Sequence, residues 1–184
     1  TWPQEFKTYF SIFDFLANHL AYLDPTIRSS GDDVLPNVYC SVATVMLVPL
    51  FYFTKSISLR EKISTTALLG VLFISFNTNY LNYIWHGFHY PNDLPYRFSF
   101  MYTFIILVVA FKTLTRIREF KPKELLGIGF GAALFIVLAE KIGSKNVDDY
   151  SVIISLVFAI IYSVAFYIFS NKKSECTYYN KTNY

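Results

Sequence analysis

The chain has 184 residues and a net charge of +3; 54% of its residues are hydrophobic and 20% aromatic, but only 16% are charged. Soluble domains are on average about 25% charged. Five stretches of this chain carry no charged residue at all: 38–54, 63–79, 98–111, 125–139 and 151–170. A soluble protein with five buried helices would need a polar outer layer, and too few residues remain to form one.

These stretches predict membrane-spanning helices, because a helix needs roughly 20 mostly apolar residues to cross a bilayer. We therefore expect an all-α membrane protein in which residues 35–170 form a transmembrane helical domain. The third span reaches the required length because Arg97 and Lys112 at its ends can direct their charges outward. The spans are predicted near 38–54, 63–79, 98–114, 125–142 and 151–169.

Residues 1–34 are predicted to form an amphipathic helix and a link outside the membrane. Within residues 3–24 the apolar side chains recur at helical spacing, and polar side chains form the opposite stripe. The apolar stripe consists of Phe6, Phe10, Phe13, Leu16, Leu20 and Leu23, and the polar stripe of Lys7, Ser11, Asp14 and Asn18. Such a helix is expected to lie in the membrane interface, or else to pack as a small soluble helix on a neighbouring domain. The link that follows brings Asp32 and Asp33 to the mouth of the first span.

The distribution of lysine and arginine predicts which segments face the cytoplasm, because cytoplasmic loops carry the excess of these residues. Residues 55–62, 112–124 and the tail 171–184 together hold 11 of the 16. We therefore expect a cytoplasmic tail, with the N-terminal segment and the loop that begins at residue 85 on the outer face. The chain begins at Thr1 without a methionine or a signal-peptide pattern, so we expect it to be an internal piece of a longer protein.

The loop sequence WHGFHYPNDLPYRFSF, residues 85–100, concentrates polar side chains at this outer face. An aromatic belt at the headgroup level would explain its tyrosines, but not His86, His89, Asn92 and Arg97 within twelve residues. Two histidines without a third ligand do not make a metal site, so none is predicted. Arginine binds phosphate through its planar fork, and histidine and asparagine add donors. The loop is interpreted as a site for an anion such as a lipid phosphate; the alternative is that Arg97 only neutralises headgroups.

Three segments of the chain resemble a known family: LNYIWHGFHYPNDLPYRFSFMY, LPNVYC and SLREK. They are similar to the YfhO family of bacterial multi-spanning membrane proteins, and the resemblance extends over residues 6–115. It implies that the chain is part of a GT-C type glycosyltransferase fold in the bacterial cell membrane. The implied reaction moves a sugar from a polyprenyl-phosphate donor to a cell-envelope polymer, such as the lipoteichoic or teichoic acid of Gram-positive cells, at the outer face.

The resemblance also implies roles for the residues named above. Arg97, His86, His89 and Asn92 would bind the donor phosphate and stabilise it as it leaves, and Asp32 or Asp33 would act as the catalytic base. Enzymes of this type usually carry the base in their first outer loop, which this chain is expected to lack, so we do not expect the chain to be active alone. No cofactor is expected, with a divalent metal left open. The expected partners are the lipid-linked sugar, the glycopolymer acceptor and membrane lipids, and no nucleic acid.

A transporter or flippase for a lipid-linked substrate and a structural membrane subunit are the alternatives to the enzyme. A transporter is expected to have polar or broken helices near the bilayer midplane, and the predicted spans offer only Pro49, scattered serine and threonine, and a glycine cluster. Gly127 and Gly131 in that cluster have the spacing that lets a second helix approach closely. A structural subunit would not need the polar loop.

Overall fold

The structure, a computed structural model, describes residues 2–27, 34–90, 93, 96–142 and 147–181, with side chains described as far as residue 171. The described residues form seven α-helices, and their only β-type pairing is an isolated bridge. The helices are α1 (Ile12–Ala17), α2 (Val42–Phe53), α3 (Leu59–Asn77), α4 (Asn79–Trp85), α5 (Ser99–Leu114), α6 (Pro122–Ile142) and α7 (Asp149–Lys181), with a 3-10 turn at Ile117–Glu119. The prediction of an all-α protein is confirmed.

Local side-chain hydrogen bonds set the bounds of α2. The Ser41 hydroxyl accepts from the backbone N–H of Ala43 at 3.2 Å, which satisfies one of the N–H groups that a helix leaves unpaired in its first turn. At the other end the Thr54 hydroxyl donates to the carbonyl of Leu50 at 2.9 Å. Ser41 itself has a φ of 97°, so the chain enters α2 in a non-helical conformation and the helix is shorter than the predicted span 38–54.

Two helices in the described part of the chain are long and apolar enough to cross a membrane: α6, and α7 over Asp149–Asn171. Only 28% and 22% of their most apolar windows are buried, so most of their apolar side chains face outward. Extended exposed apolar surface marks a contact with a membrane or another protein. The apolar helices α2 and α5 are shorter, at 12 and 16 residues. The number of five transmembrane helices therefore stays a prediction.

The predicted helix over residues 3–24 is wrong for most of its length, since only Ile12–Ala17 is helical. The side chains of α1 that are buried within the protein are Phe15 and Ala17, each 3% exposed, which were not part of the predicted apolar stripe. Phe13, which was, is 52% exposed, as a side chain that faces lipid would be. The interfacial position of this segment stays a prediction.

The chain before α1 is extended because it pairs with the break between α3 and α4. The backbone N–H of Tyr9 donates to the carbonyl of Asn77 at 3.1 Å, and the N–H of Asn79 donates to the carbonyl of Lys7 at 3.2 Å. The side-chain oxygen of Asn77 accepts from the N–H groups of Tyr9 and Phe10 at 3.1 and 3.0 Å. These partners satisfy backbone groups that a helix would otherwise pair internally.

The helices α6 and α7 approach each other closely at one glycine. A Cβ added at Gly129 would overlap the hydroxyl oxygen of Ser163 and lie 3.1 Å from its Cβ. A Cβ at Gly127 or Gly131 would have no neighbour within 4 Å, so among the described residues the close helix approach is made at Gly129, and the approach predicted at Gly127 and Gly131 stays a prediction. Residues two apart on a helix lie on different faces, so the face with Gly127 and Gly131 is open while that with Gly129 is packed.

Gly129→Ala is expected to destabilise the protein, and Gly127→Ala to leave it unchanged or slightly more stable. Alanine at 129 would displace Ser163 from its hydrogen bond to the carbonyl of Ala159, and such overpacking typically costs about 1–3 kcal/mol. At Gly127 there is room for a methyl group, and alanine favours a helix over glycine by up to about 1 kcal/mol. Thermal unfolding of the variants in one detergent measures the difference.

Adding Ser163→Ala to Gly129→Ala removes the shortest of these contacts and should restore part of the lost stability. A Gly129→Ala protein as stable as the wild type would contradict the packing of α6 on α7.

Candidate functional site

The polar loop begins where α4 ends. His86 caps α4, and its Nδ1 lies 2.7 Å from the carbonyl oxygen of Asn82, so this nitrogen carries a hydrogen. Gly87 and Phe88 follow with positive φ values of 68° and 62°, a region that bulky residues rarely adopt. This tight turn separates His86, which is half-buried, from His89, which is exposed.

Arg97 lies in the turn before α5, between two buried aromatic residues, Tyr96 and Phe98. The Phe98 ring stacks on Phe76 and on Trp85, with ring centroids 4.8 and 4.9 Å apart. These contacts fix the backbone, while the Arg97 side chain is exposed and forms no ion pair within the described residues. Arg97 is thus a solvent-facing cation on a packed aromatic base.

The structure places His86 beside the aromatic base that precedes α5. The His86 ring lies 6.2 Å from the ring of Phe98, the residue that follows Arg97. The described residues contain no group of three or more histidine, cysteine, aspartate or glutamate side chains placed to hold a metal ion. The predicted residues Asn92, Asp32 and Asp33 lie outside the described residues.

An apolar cavity of about 390 Å³ lies between α2, α5 and α6, with the segment around the end of α1 at its edge. Its polar lining consists of His19, Thr44 and Tyr102. A volume of about 300–1,000 Å³ with few convergent polar groups is typical of small-molecule sites. The main apolar side chains of the lining are Val48, Pro49, Ile106, Ile128, Ala132 and Phe135.

The polar end of the cavity is a hydrogen bond between His19 and Tyr102. The Nδ1 of His19 lies 3.0 and 3.3 Å from the carbonyl oxygens of Phe15 and Leu16, so it must carry the hydrogen. Burial lowers the pKa of His19 to about 4, because desolvation disfavours the charged ring. In the neutral ring Nε2 is therefore an acceptor, and the Tyr102 hydroxyl, 3.1 Å away, donates to it.

An aromatic cluster joins this hydrogen bond to the polar loop. Phe15 contacts the rings of His19 and Tyr102 edge-on, with centroids 5.3 and 5.2 Å apart. It also lies 6.1 Å from Phe76, on which Phe98 stacks. The cavity and the loop therefore rest on one packed unit.

Sequence reasoning missed His19 and Tyr102 as site residues. The available signals were a histidine within the apolar stretch FLANHLAYL and a tyrosine inside a charge-free span. Neither signal is specific, because the two side chains meet only in the fold and are 83 residues apart in the chain.

The stability of the protein is expected to fall as the pH is lowered from 6.5 to 5. The unfolded imidazole titrates near 6.5, but the folded one only at about 4, so between these values the unfolded state binds more protons and unfolding becomes easier. The loss over this interval is at most about 2 kcal/mol. Melting temperatures of the wild type and His19→Gln between pH 5 and 7 measure it, and the variant should lose most of the slope.

His89→Gln, which changes an exposed histidine outside the cavity, is the matched control and should keep the wild-type slope. A wild-type melting temperature that does not change over this interval would contradict a buried neutral His19.

Comparison with protein families finds a match over nearly the whole chain. The family described as bacterial membrane protein YfhO matches residues 2–180, which confirms the resemblance seen in the three sequence segments. No curated protein and no solved structure matches the chain significantly. The chain therefore belongs to the YfhO family of bacterial membrane proteins.

Proposed function

We propose that the protein is part of a membrane glycosyltransferase. In this proposal a sugar moves from a polyprenyl-phosphate donor to a cell-envelope polymer, such as lipoteichoic or teichoic acid, at the outer face of the membrane. Membership of the YfhO family supports the membrane setting. The observation that carries the proposal is the exposed Arg97 on its aromatic base, five residues before Tyr102 at the polar end of an apolar cavity. An exposed cation that precedes the wall of an apolar cavity in the chain is consistent with a ligand that has an anionic head and an apolar body.

Arg97 is proposed to bind the donor phosphate. When the acceptor hydroxyl attacks the anomeric carbon, the bond from that carbon to the phosphate oxygen breaks, and the leaving phosphate gains negative charge. A guanidinium offers two parallel donors to such a group, and donors placed where charge develops lower the barrier. His86, His89 and Asn92 are proposed to complete the site from the same loop. The Nδ1 hydrogens of the two histidines are directed at the carbonyls of Asn82 and Tyr90, so each ring would donate to the phosphate through Nε2 in its protonated form.

Asp32 or Asp33 is proposed as the base that accepts the proton of the acceptor hydroxyl. Both lie outside the described residues, but the chain that follows them is described. Val34 packs against the hydrophobic cluster that contains Phe98, and Val38 is a buried member of it. The chain therefore continues from Asp33 into the aromatic base next to Arg97. This supports a position for the catalytic carboxylate near the phosphate.

The proposed outer position of Arg97 is supported by the charges at the opposite end of α5. Lys112 follows Arg97 by 15 residues, which corresponds to about 22 Å along a helix axis. At that end Lys112 pairs with Glu61 at the start of α3, with the ammonium and carboxylate atoms 2.5 Å apart. The lysine-rich and arginine-rich loops share this end, so the positive-inside rule puts it, together with the C-terminal tail, in the cytoplasm.

Arg97→Ala in the full-length protein is expected to lower sugar transfer about 100-fold, mainly through kcat, because it removes a donor to the leaving phosphate. Arg97→Lys keeps the charge but loses the planar fork, so it should retain part of the activity. The measurement is the transfer of radiolabelled sugar from polyprenyl-phosphate donors to envelope polymer in isolated membranes, with the amount of protein quantified by immunoblot.

Arg118→Ala is the matched control, because Arg118 is an exposed arginine at the other end of the bundle, and it should leave transfer unchanged. Normal polymer modification by Arg97→Ala at a normal protein level would contradict the proposal.

A further inference from the structure

We propose that an exposed group of aromatic side chains on α4 and its neighbouring segments binds the lipid bilayer, at the layer where headgroups meet acyl chains. The group, which we call the aromatic plate, consists of Trp2, Phe6, Tyr80, Tyr83, Phe88 and Tyr90. The inference rests on the membrane setting of the family and on α3 as a membrane-spanning helix, and not on the proposed reaction.

The plate begins where the N-terminal segment meets α4. The ring of Trp2 contacts the rings of Tyr80 and Tyr83, with centroids 5.7 and 5.5 Å apart. Phe6 stacks on Tyr80 with the centroids 6.0 Å apart. More than half of Trp2 and of Phe6 is exposed. These two side chains are therefore held by α4 but are not buried by it.

The polar loop completes the plate. Phe88 and Tyr90 contact the ring of Tyr83 with centroids 6.2 and 5.3 Å apart. Tyr83 is buried, whereas more than half of Phe88 and of Tyr90 is exposed. The plate is thus a continuous set of ring contacts around one buried tyrosine, with its outer rings open. Contiguous exposed apolar surface of this kind marks a contact with a membrane or another molecule.

The backbone of Phe88 is in a conformation that its side chain does not favour. Its φ is 62°, in the left-handed region that bulky residues rarely adopt. A glycine would take this conformation freely, and the exposed phenylalanine ring regains little of the cost within the chain. Strain of this kind is commonly kept where it serves function. A partner outside the chain that covers the ring explains why phenylalanine stands at this position.

The chemistry of the plate fits the headgroup boundary better than a sugar chain. Recognition of a polar ligand needs several convergent polar groups, but the plate offers only three tyrosine hydroxyls and one indole N–H. The amide of Asn79 beside it is used by the backbone, since it donates to the carbonyl of Glu5 at 2.6 Å and accepts from the N–H of Lys7 at 3.1 Å. Tryptophan and tyrosine concentrate at the headgroup level, because one end of each ring is apolar and the other can meet water.

The length of α3 puts the plate at this level. α3 has 19 residues, which corresponds to about 28 Å, and the hydrocarbon core of a bilayer is about 30 Å thick. Its charged first turn, residues 60–62, has to lie in one headgroup layer. Its last residue, Asn77, then lies at the opposite layer, where α4 and the plate begin. Between these ends Leu68, Val71 and Ile74 follow one face of the helix, and each is about half exposed, as side chains that contact lipid would be.

Phe6 and Lys7 provide a matched pair of positions for testing this inference. Both side chains are exposed, but only Phe6 belongs to the plate. Neighbouring side chains of an extended chain point to opposite faces, so the new ring of Phe6→Trp would lie on the plate and that of Lys7→Trp would point away from it. Trp2 is a further reporter, read as the signal that is lost in Trp2→Phe, and it requires no new side chain to be accommodated.

The full-length protein and its variants are reconstituted into vesicles of phosphatidylcholine and phosphatidylglycerol, and tryptophan emission is measured with two quenchers. Phosphatidylcholine with bromine on the acyl chain near the headgroup quenches rings in the membrane, and iodide quenches rings in water. We expect brominated lipid to lower the emission of Trp2 and of Phe6→Trp at least about twofold, because rings in the headgroup layer lie close to the bromine. The emission of Lys7→Trp should respond to iodide and not to brominated lipid.

Two results would overturn the inference. The first is quenching of Trp2 and Phe6→Trp by iodide alone, which would mean that the plate faces water and is open to a soluble partner such as the envelope polymer. The second is quenching by neither reagent, which would mean that another part of the protein or a second copy covers the plate. Neither reading involves sugar transfer, so a failure of the proposed glycosyltransferase would leave both unchanged.

Discussion

The hydrogen bond from Tyr102 to His19 is the interaction on which both the cavity and the polar loop depend. A buried imidazole whose polar atoms are unpaired costs several kcal/mol, roughly 2–7 per unsatisfied group. Here the carbonyls of α1 occupy Nδ1, and Tyr102 occupies Nε2, so the ring is held in one tautomer and one orientation. The bond ties the segment after α1 to α5, and Phe15 extends this attachment to the rings beneath Arg97.

A second set of hydrogen bonds holds the N-terminal segment on the other side of α1, before the helix begins. Asn77 ends α3, and Thr78 is extended, with a φ of −120° and a ψ of 134°. This break allows Asn77 and Asn79 to bind the extended chain around Tyr9 with both backbone and side-chain atoms. The break also sets the direction of α4, and therefore the position of His86 at its end. The N-terminal segment thus fixes both the edge of the cavity and the start of the polar loop.

The sequence was sufficient for those features that depend on composition and local chemistry. Charge-free stretches correspond to the apolar helices α2, α5, α6 and α7, and the three quoted segments identified the family before the fold was known. Periodicity failed for the start of residues 3–24, because the side-chain acceptors that keep this chain extended belong to Asn77 and Asn79, about 70 positions away. Spacing indicated that glycines allow a close helix approach, but it did not say which face of α6 meets Ser163. The cavity was missed for the same reason, since its polar end joins distant residues.

The absence of charge from the described lining of the cavity favours the membrane surface as the location of the proposed chemistry. In a low-dielectric cavity without donors a phosphate is not stable, and a neutral His19 offers it no charge. In the proposed function the anionic head of the donor would lie at the exposed Arg97, on the side where the acceptor is expected. A base that acts on such a hydroxyl must lie at the same surface. The chain enters the cluster that contains Phe98 through Val34 and Val38, and this entry is the observation behind the proposal of Asp32 or Asp33 as the base.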